Sequence, residues 1–452
     1  MSRQFKTADY EATLDLKLSL REILPPNHLA RFVVDIVAQL DLSSIYARYG
    51  ARGGEPYAPE ILLALLVYGY ATGIFSSRQI EKATYEQAPF LFIAGNLHPD
   101  HDTLANFRKT FLPELKGLFV QVLWLAQSVG LLKLGHISLD GSKIHADASK
   151  SHAVSYKRLL ELEHTLGQEV DELFALAAQA DQQALPDGLL IADEIALRQD
   201  RLQHLAEAKA VLEARAQARY QAEQAAYAAK VREREEKAER TKRKPGGRPP
   251  QPPRPGPRAQ DQYNFTDPES RIMKNGNDDG FDQHYNAQAA VDQESRLIVG
   301  HSLSNHTNDQ AEVVPTVDAI PAALGTPTAA ALDCGYFSAA NIAALRARGI
   351  DPYIATGREA HHPSWTELFA EPMAPPPDNA SPKVQMAYKL KTKLGQAIYR
   401  LRKSTVEPVI GIIKEVLGFR QFSLRGLLAA AGEWCLVCLA FNVKRLHVLS
   451  LA

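Results

Sequence analysis

Asp140 sits in the middle of HISLDGSKI, residues 136–144, a run that reads as a β-strand. Strand side chains alternate, so Ile137 and Leu139 share one face and Ser138, Asp140 and Ser142 the other. A carboxylate in mid-strand is unfavourable unless it is paired, hydrogen-bonded or metal-bound. Taken alone, Asp140 suits a structural role, capping the next turn or pairing with Lys143, as well as a catalytic one. A second aspartate, Asp333, ends the apolar run in ALDCGYFS. Carboxyl ends of strands in open α/β sheets are where ligands bind, and Gly335 lets the chain turn sharply there. Glu407, in YRLRKSTVEPVIGIIK, lies at the edge of a helical stripe of Val406, Val409, Ile410 and Ile413. Three converging carboxylates with no histidine cluster suit a hard divalent cation with oxygen ligands, Mg²⁺ first and Mn²⁺ second. Two such ions about 3.5–4 Å apart serve the attacking and the leaving oxygen in phosphodiester cleavage. Asp140, Asp333 and Glu407 are therefore expected as both catalytic residues and metal ligands.

The elements that must position these residues follow from periodicity. Residues 136–146 form the first strand, and the sheet signal then stops for over a hundred residues. From Ser151 to about Ala180, Leu159, Leu162, Leu166, Val170 and Leu173 step by threes and fours. Pro186-Asp187-Gly188 marks a turn, and a second helix runs from about Leu190 to Arg240, which predicts an antiparallel hairpin. HYNAQAAVD and RLIVGHSLS are two strands around the turn Gln293-Glu294-Ser295. Asn308 or Asp309 is expected to cap a helix reaching about Leu324. Ala329–Leu332 is a strand, Ser338 caps a helix ended by Gly349, and Pro352–Ala355 is another strand. A long helix is expected over about Val384–Leu417 and a last one over Gly426–Ser450. Without the hairpin this is three antiparallel strands, two αβ units and a helix. That is the order of a ribonuclease-H-like α/β fold with a mixed five-stranded sheet.

Ahead of the sheet, residues 17 to 130 read as all-helical. Pro59 opens one helix and Ser76 or Ser77 caps another. In HPDHDTLANFRKTF, residues 98–111, Asp102 or Thr103 is expected to cap a helix presenting Asn106, Arg108 and Lys109. Short helices ending in one that carries Asn and Arg fit a helix-turn-helix reader of DNA; a packing or dimerisation module fits the same pattern. The expected division is 1–130 for DNA binding or assembly, 131–150 for the first strand, 151–262 for the inserted hairpin and arm, and 263–452 for the rest of the catalytic core.

Bulk composition narrows the class without deciding it. The chain has 452 residues, is 45% hydrophobic and 23% charged, and carries a formal net charge of -1, so any basic surface must be local. One such stretch is Thr241–Arg258, TKRKPGGRPPQPPRPGPR, with six basic residues and no acidic one. Its prolines and glycines fit a solvated linker or a flexible arm on a phosphate backbone, with Lys242, Arg243, Lys244 and Arg248 as contacts. Three cysteines make no disulfide framework and fit a reducing cytosol; Cys435 and Cys438 are read as core residues. The N-terminus lacks an apolar signal core, and Leu427–Val443, interrupted by Glu433, reads as a buried helix and not a membrane span.

Asp140 in ISLDGSKIHA, Asp333 in ALDCGYFS and Glu407 in YRLRKSTVEPVIGIIK together resemble the DDE triad of bacterial insertion-sequence transposases. NFTDPESRIMK, YNAQAAVD and the helical module ending in HDTLANFRK are similar to the same family. The resemblance implies hydrolysis at element ends, then attack of the freed 3′-OH on target DNA, in a site with two Mg²⁺ ions. It also implies double-stranded DNA partners (terminal inverted repeats and target), a homodimer holding two ends, and a cytoplasmic, nucleoid-associated place with no membrane. Many relatives carry Tyr-x2-Arg-x3-Glu-x6-Lys. Here Glu407 and Lys414 keep the second half, while Tyr399 and Arg402 stand one residue further back and Lys403 occupies the position four before the glutamate. One helical residue is about 100° of rotation, so Tyr399, Arg402, Lys403 and Lys414 all enter as DNA-contact candidates, with Lys143. His145 and Asp147 are read as supports of the first strand, and Asp267, Arg271, Asn286, Gln288, Asn305 and Asp309 as polar groups near the sheet. A co-opted DNA-binding protein without catalysis, and a nuclease without strand transfer, are the competing readings.

Overall fold

The computed structural model describes residues 19–50, 56–179, 190–242, 246–275, 280–357, 375–377 and 379–451. The turn at 186–188, Arg243 and Lys244 lie outside them. The chain forms two compact units: Met1–Ala146 with His284–Ala452, and Asp147–Gln283. The amino-terminal helices thus lie in the same unit as the sheet.

Seven helices come first: α1 (Leu29–Val37), α2 (Ser43–Tyr46), α3 (Pro59–Thr72), α4 (Ser77–Glu86), α5 (Ala88–Ala94), α6 (His101–Thr110) and α7 (Leu112–Ser128). Pro59 opens α3, where its missing N–H costs nothing, and Gly73 closes it at φ +85°. The cap of α6 is Asp100, whose carboxylate accepts from Thr103 N at 2.6 Å, and not Asp102 or Thr103. Asp100 lies two residues before the nearer expected cap, which starts the helix at His101.

β1 (His136–His145) leads into the second unit, which holds β2 (Ala153–Ser155), α8 (Tyr156–Gln179), α9 (Ile191–Thr241), β3 (Gln262–Asn264) and β4 (Arg271–Lys274). α8 and α9 form the expected antiparallel hairpin. Leu159 packs with Leu205, Ala208 and Leu212, while Lys209 pairs with Glu163 at 2.8 Å and Arg198 with Glu169 at 2.6 Å. The segment after α9 is not a free arm where it is described. Gly246 and Gly247 accept from Arg234, Gly256 accepts from Arg219, and Arg258 pairs with Glu223 at 2.8 Å. Residues 246–258 therefore run back along α9, held by Arg234, Arg219 and Glu223.

Then follow β5 (Phe281–Asp292), β6 (Ile298–Ser304), α10 (Val313–Asp318), β7 (Ala329–Leu332), α11 (Ala339–Ala347), β8 (Asp351–Ile354), α12 (Pro382–Lys391), α13 (Lys393–Gly411) and α14 (Leu427–Ser450). Among the described residues the sheet has six strands, not five, because β4 adds to β5. Its main path is β4-β5-β1-β7-β8, with β6 also on β5. β5 is antiparallel to β1 and β6; β1, β7 and β8 are mutually parallel.

Two expected helices are shorter than their patterns. Asp309 does not cap α10, whose N-cap is Glu312. The long helix expected over 384–417 is broken at Thr392, whose hydroxyl caps α13 by accepting from Gly395 N at 3.0 Å. A β-carbon on Gly395 would lie 2.0 Å from the Lys389 carbonyl oxygen, so only glycine permits this close crossing. α13 ends in a π-helical turn, Ile412–Val416.

α13 packs on β1, β7 and β8, burying Ile398 and Tyr399 against Ala329, Ala331 and Tyr353. α14 packs on β6, α3 and α7. It is long and apolar enough to cross a membrane by length and composition, yet most of it is buried in its unit, including Trp434, Cys435, Leu436 and Cys438. Burial pushes the Cys435 thiol up to about 12.

Candidate active site

The register of the parallel pair sets the first two carboxylates side by side. Leu139 pairs with Leu332, and the next residues are Asp140 and Asp333. Asp333 leaves the strand and caps a short 3₁₀ turn, accepting from Gly335 N at 2.8 Å. Asp140 stays in the strand and accepts from the Gly141 N–H at 2.9 Å. The expected face of β1 is the one that meets α13: Ser138 Oγ accepts from Thr405 Oγ1 at 2.9 Å, and Ser142 Oγ accepts from Lys414 Nζ at 3.0 Å.

Between them Arg402 reaches across. Its Nη1 donates to Asp140 Oδ2 at 2.9 Å and its Nη2 to Glu407 Oε1 at 2.7 Å. The Arg402 side chain is 10% exposed, that of Asp140 20% and that of Glu407 45%. Burial pushes the Asp140 carboxyl up to about 6; Arg402 pulls it down, and the charges of Asp333 and Glu407 push it further up. Asp333 and Glu407 thus stand close enough for their charges to act on Asp140. Among the described residues, no three acidic, histidine or cysteine side chains are gathered closely enough to hold an ion as they stand.

A polar layer lies beside the cluster, built on Asn286, Gln288 and Asp309, which were expected near the sheet, and on Tyr336, which was not singled out. Asp309 Oδ1 accepts from Asn286 at 2.7 Å and from Gln288 at 3.0 Å, and Gln288 Oε1 accepts from Tyr336 at 2.5 Å. Burial, then Asp140, Asp309 and Asp333, hold the Tyr336 hydroxyl well above its usual range. Gln288 lies so close to β1 that a β-carbon on Gly141 would meet its amide nitrogen at 2.2 Å. The available signal was Asn286 and Gln288, two polar residues one period apart between Tyr285, Ala287 and Ala289.

Residues 18–110 match the family described as Transposase domain (DUF772), and residues 376–447 match the family described as Transposase DDE domain. The two matches support a DDE transposase of an insertion element. The second matched segment contains Arg402, Glu407 and Lys414; Asp140 and Asp333 lie outside both segments. No curated protein and no solved structure matches the chain.

The other candidates fall in three groups. Asn106 is exposed on α6 and lines a cavity of about 540 Å³ with Arg48, Tyr49, Tyr57 and Phe111. Lys403 is exposed on α13, and Lys242 and Arg248 are exposed in the second unit. Lys143 is half-buried, with its carbonyl accepting from Lys414 at 3.4 Å; burial lowers the Lys414 pKa. Two candidates are buried. Tyr399 is buried in the apolar cluster under α13. Arg108 is 8% exposed, donating to Tyr70 Oη at 2.7 Å and to the Phe75 carbonyl at 3.1 Å. Both sit on the inner side of their helices, so their charge or ring serves packing.

Proposed function

We propose that this transposase cuts the ends of its element and joins them to target DNA in a site built on Asp140, Asp333 and Glu407. The observation that carries the reading is geometric: the β1–β7 register sets Asp140 beside Asp333, and Arg402 joins Asp140 to Glu407. The donor set is all carboxylate oxygen, which fits Mg²⁺, with Mn²⁺ as a substitute. Asp140, Asp333 and Glu407 would hold two ions, and these supply activation of the attacking oxygen and stabilisation of the leaving one. The strand order β6-β5-β1-β7-β8 supports a ribonuclease-H-like core, with β4 as an addition.

The chain's own residues position the substrate. Exposed Arg400 and Lys403 line the outer side of α13 and offer cations to a phosphate backbone. Lys414, anchored to Ser142, places a further cation over the strand that carries Asp140. Residues 1–130, with Asn106 on an exposed helix face, are proposed to read the terminal repeat, since sequence is read by base-edge contacts and not by a cluster of acids. Lys242, Arg243, Lys244 and Arg248 are proposed to add non-specific affinity from the segment 151–262. A homodimer in the cytoplasm, holding two DNA ends at the nucleoid, completes the reading.

A supercoiled donor plasmid bearing the element ends, incubated with Mg²⁺, tests it. Excision with joining is expected. Asp140→Asn, Asp333→Asn and Glu407→Gln should each abolish cleavage and leave DNA binding in place. Cutting without joining makes the protein a nuclease, and binding without cutting makes it a DNA-binding protein only. A variant with near-wild-type strand transfer removes its residue from the triad.

A further inference from the structure

Arg402 stands where the acids would share a cation. Its guanidinium is bidentate in the sense that each terminal nitrogen serves a different carboxylate, Asp140 at 2.9 Å and Glu407 at 2.7 Å. We propose that Arg402 is a built-in counter-cation that competes with the divalent ions for these two carboxylates, so that its release is coupled to ion uptake. The proposal rests on the metal-dependent reading above.

One feature supports competition: the oxygens are the same. Arg402 holds Asp140 Oδ2 and Glu407 Oε1, the carboxylates that the reading above gives to the ions. A guanidinium is wider than an ion, so carboxylates straddling it stand further apart than two carboxylates that each approach one Mg²⁺ at about 2.0–2.1 Å, and guanidinium and ion cannot occupy the space between them together.

Calorimetric titration of Mn²⁺ into the full-length, DNA-free protein decides it. Arg402→Gln is expected to bind Mn²⁺ about tenfold more tightly than wild type, within the usual range for two ligands coupled at one site. Asp140→Asn is expected to lose the ion. Equal or weaker binding by Arg402→Gln, with Asp140→Asn still defective, overturns the competition and leaves the metal site standing. No Mn²⁺ uptake by either wild type or Arg402→Gln overturns the metal reading and the competition together. Removing the guanidinium leaves like charges facing each other, so folding is followed separately by thermal unfolding in EDTA and in Mn²⁺. The Mn²⁺-induced rise in midpoint should be larger for Arg402→Gln than for wild type; an equal or smaller rise counts against the proposal.

Discussion

Asp140 is pulled in two directions at once. Burial and the neighbouring Asp333 and Glu407 favour its neutral form, and the 2.9 Å contact with Arg402 favours the ion. Burial wins, and the carboxyl rises from 3.8 to about 6. The folded chain therefore binds this proton more strongly than the unfolded chain. The sign follows: the stability that Asp140 contributes is present below about pH 4 and is lost as the pH rises through about 6. Asp140→Asn has no charge to bury. In EDTA it should be more stable than wild type at neutral pH by an amount on the order of 1–3 kcal/mol, read as a higher thermal midpoint, and the gap should close toward pH 4. A lower midpoint at neutral pH would mean that the Arg402 contact, and not burial, governs this side chain. The strand pattern told that Asp140 shares a face with Ser138 and Ser142. It did not tell that Arg402 would meet it, because the family spacing put a cation four residues before the glutamate and this chain has Lys403 there, exposed.

At the scale of elements, β1, β7 and α11 were legible because each is a short, bounded pattern: Asp333 ends an apolar run, and Ser338 accepts from Asn341 N at 3.0 Å as a cap should. The break between α12 and α13 was not, since periodicity continues across Thr392 and the deciding contact is Gly395 against Lys389. Pro408 inside α13 and the π-turn at 412–416 were equally hidden. Pro408 follows Glu407 and lacks the N–H that would bond back to Ser404, and Lys414, which reaches Ser142, lies within the π-turn itself. The basic segment after α9 was legible in composition but not in course. Arg258 is engaged with Glu223, so it should contribute little to DNA binding. Replacing Lys242, Arg243, Lys244, Arg248 and Arg254 by Gln should flatten the plot of log K against log salt, by up to about 0.9 for each duplex phosphate left without its cation. Replacing Arg258 alone should leave the slope unchanged. A slope insensitive to the first set makes the segment a packing element of the hairpin and nothing more.

At the scale of the first unit, the amino-terminal helices share one buried polar knot with the carboxyl-terminal helix. Glu433, fully buried on α14, accepts from Tyr70 Oη at 2.8 Å, from Ser423 N at 2.8 Å and from Leu424 N at 3.0 Å. Arg108 adds its charge 3.8 Å away. The same stretch clamps the end of β1: His145 N donates to Arg420 O at 3.0 Å and Phe422 N to His145 O at 2.8 Å. The strand of Asp140 is thus braced through residues 420–424 by α3 and α6. This assigns different tasks to neighbours on one helix. Asn106→Ala should weaken preference for the terminal repeat with little change in stability. Arg108→Ala should leave that preference intact among folded molecules and destabilise the unit by about 3–5 kcal/mol, the usual cost of removing one partner from a buried pair. The same packing bears on the amino-terminal segment taken alone. α3 and α7 bury their apolar faces on α14, so a fragment of residues 1–130 would expose that face and leave Arg108 without Glu433. It is expected to show no cooperative thermal unfolding by circular dichroism, and to gain it when residues 418–452 are supplied on the same chain by a flexible linker. A fragment of 1–130 that unfolds cooperatively by itself would make the knot a contact between two independent domains.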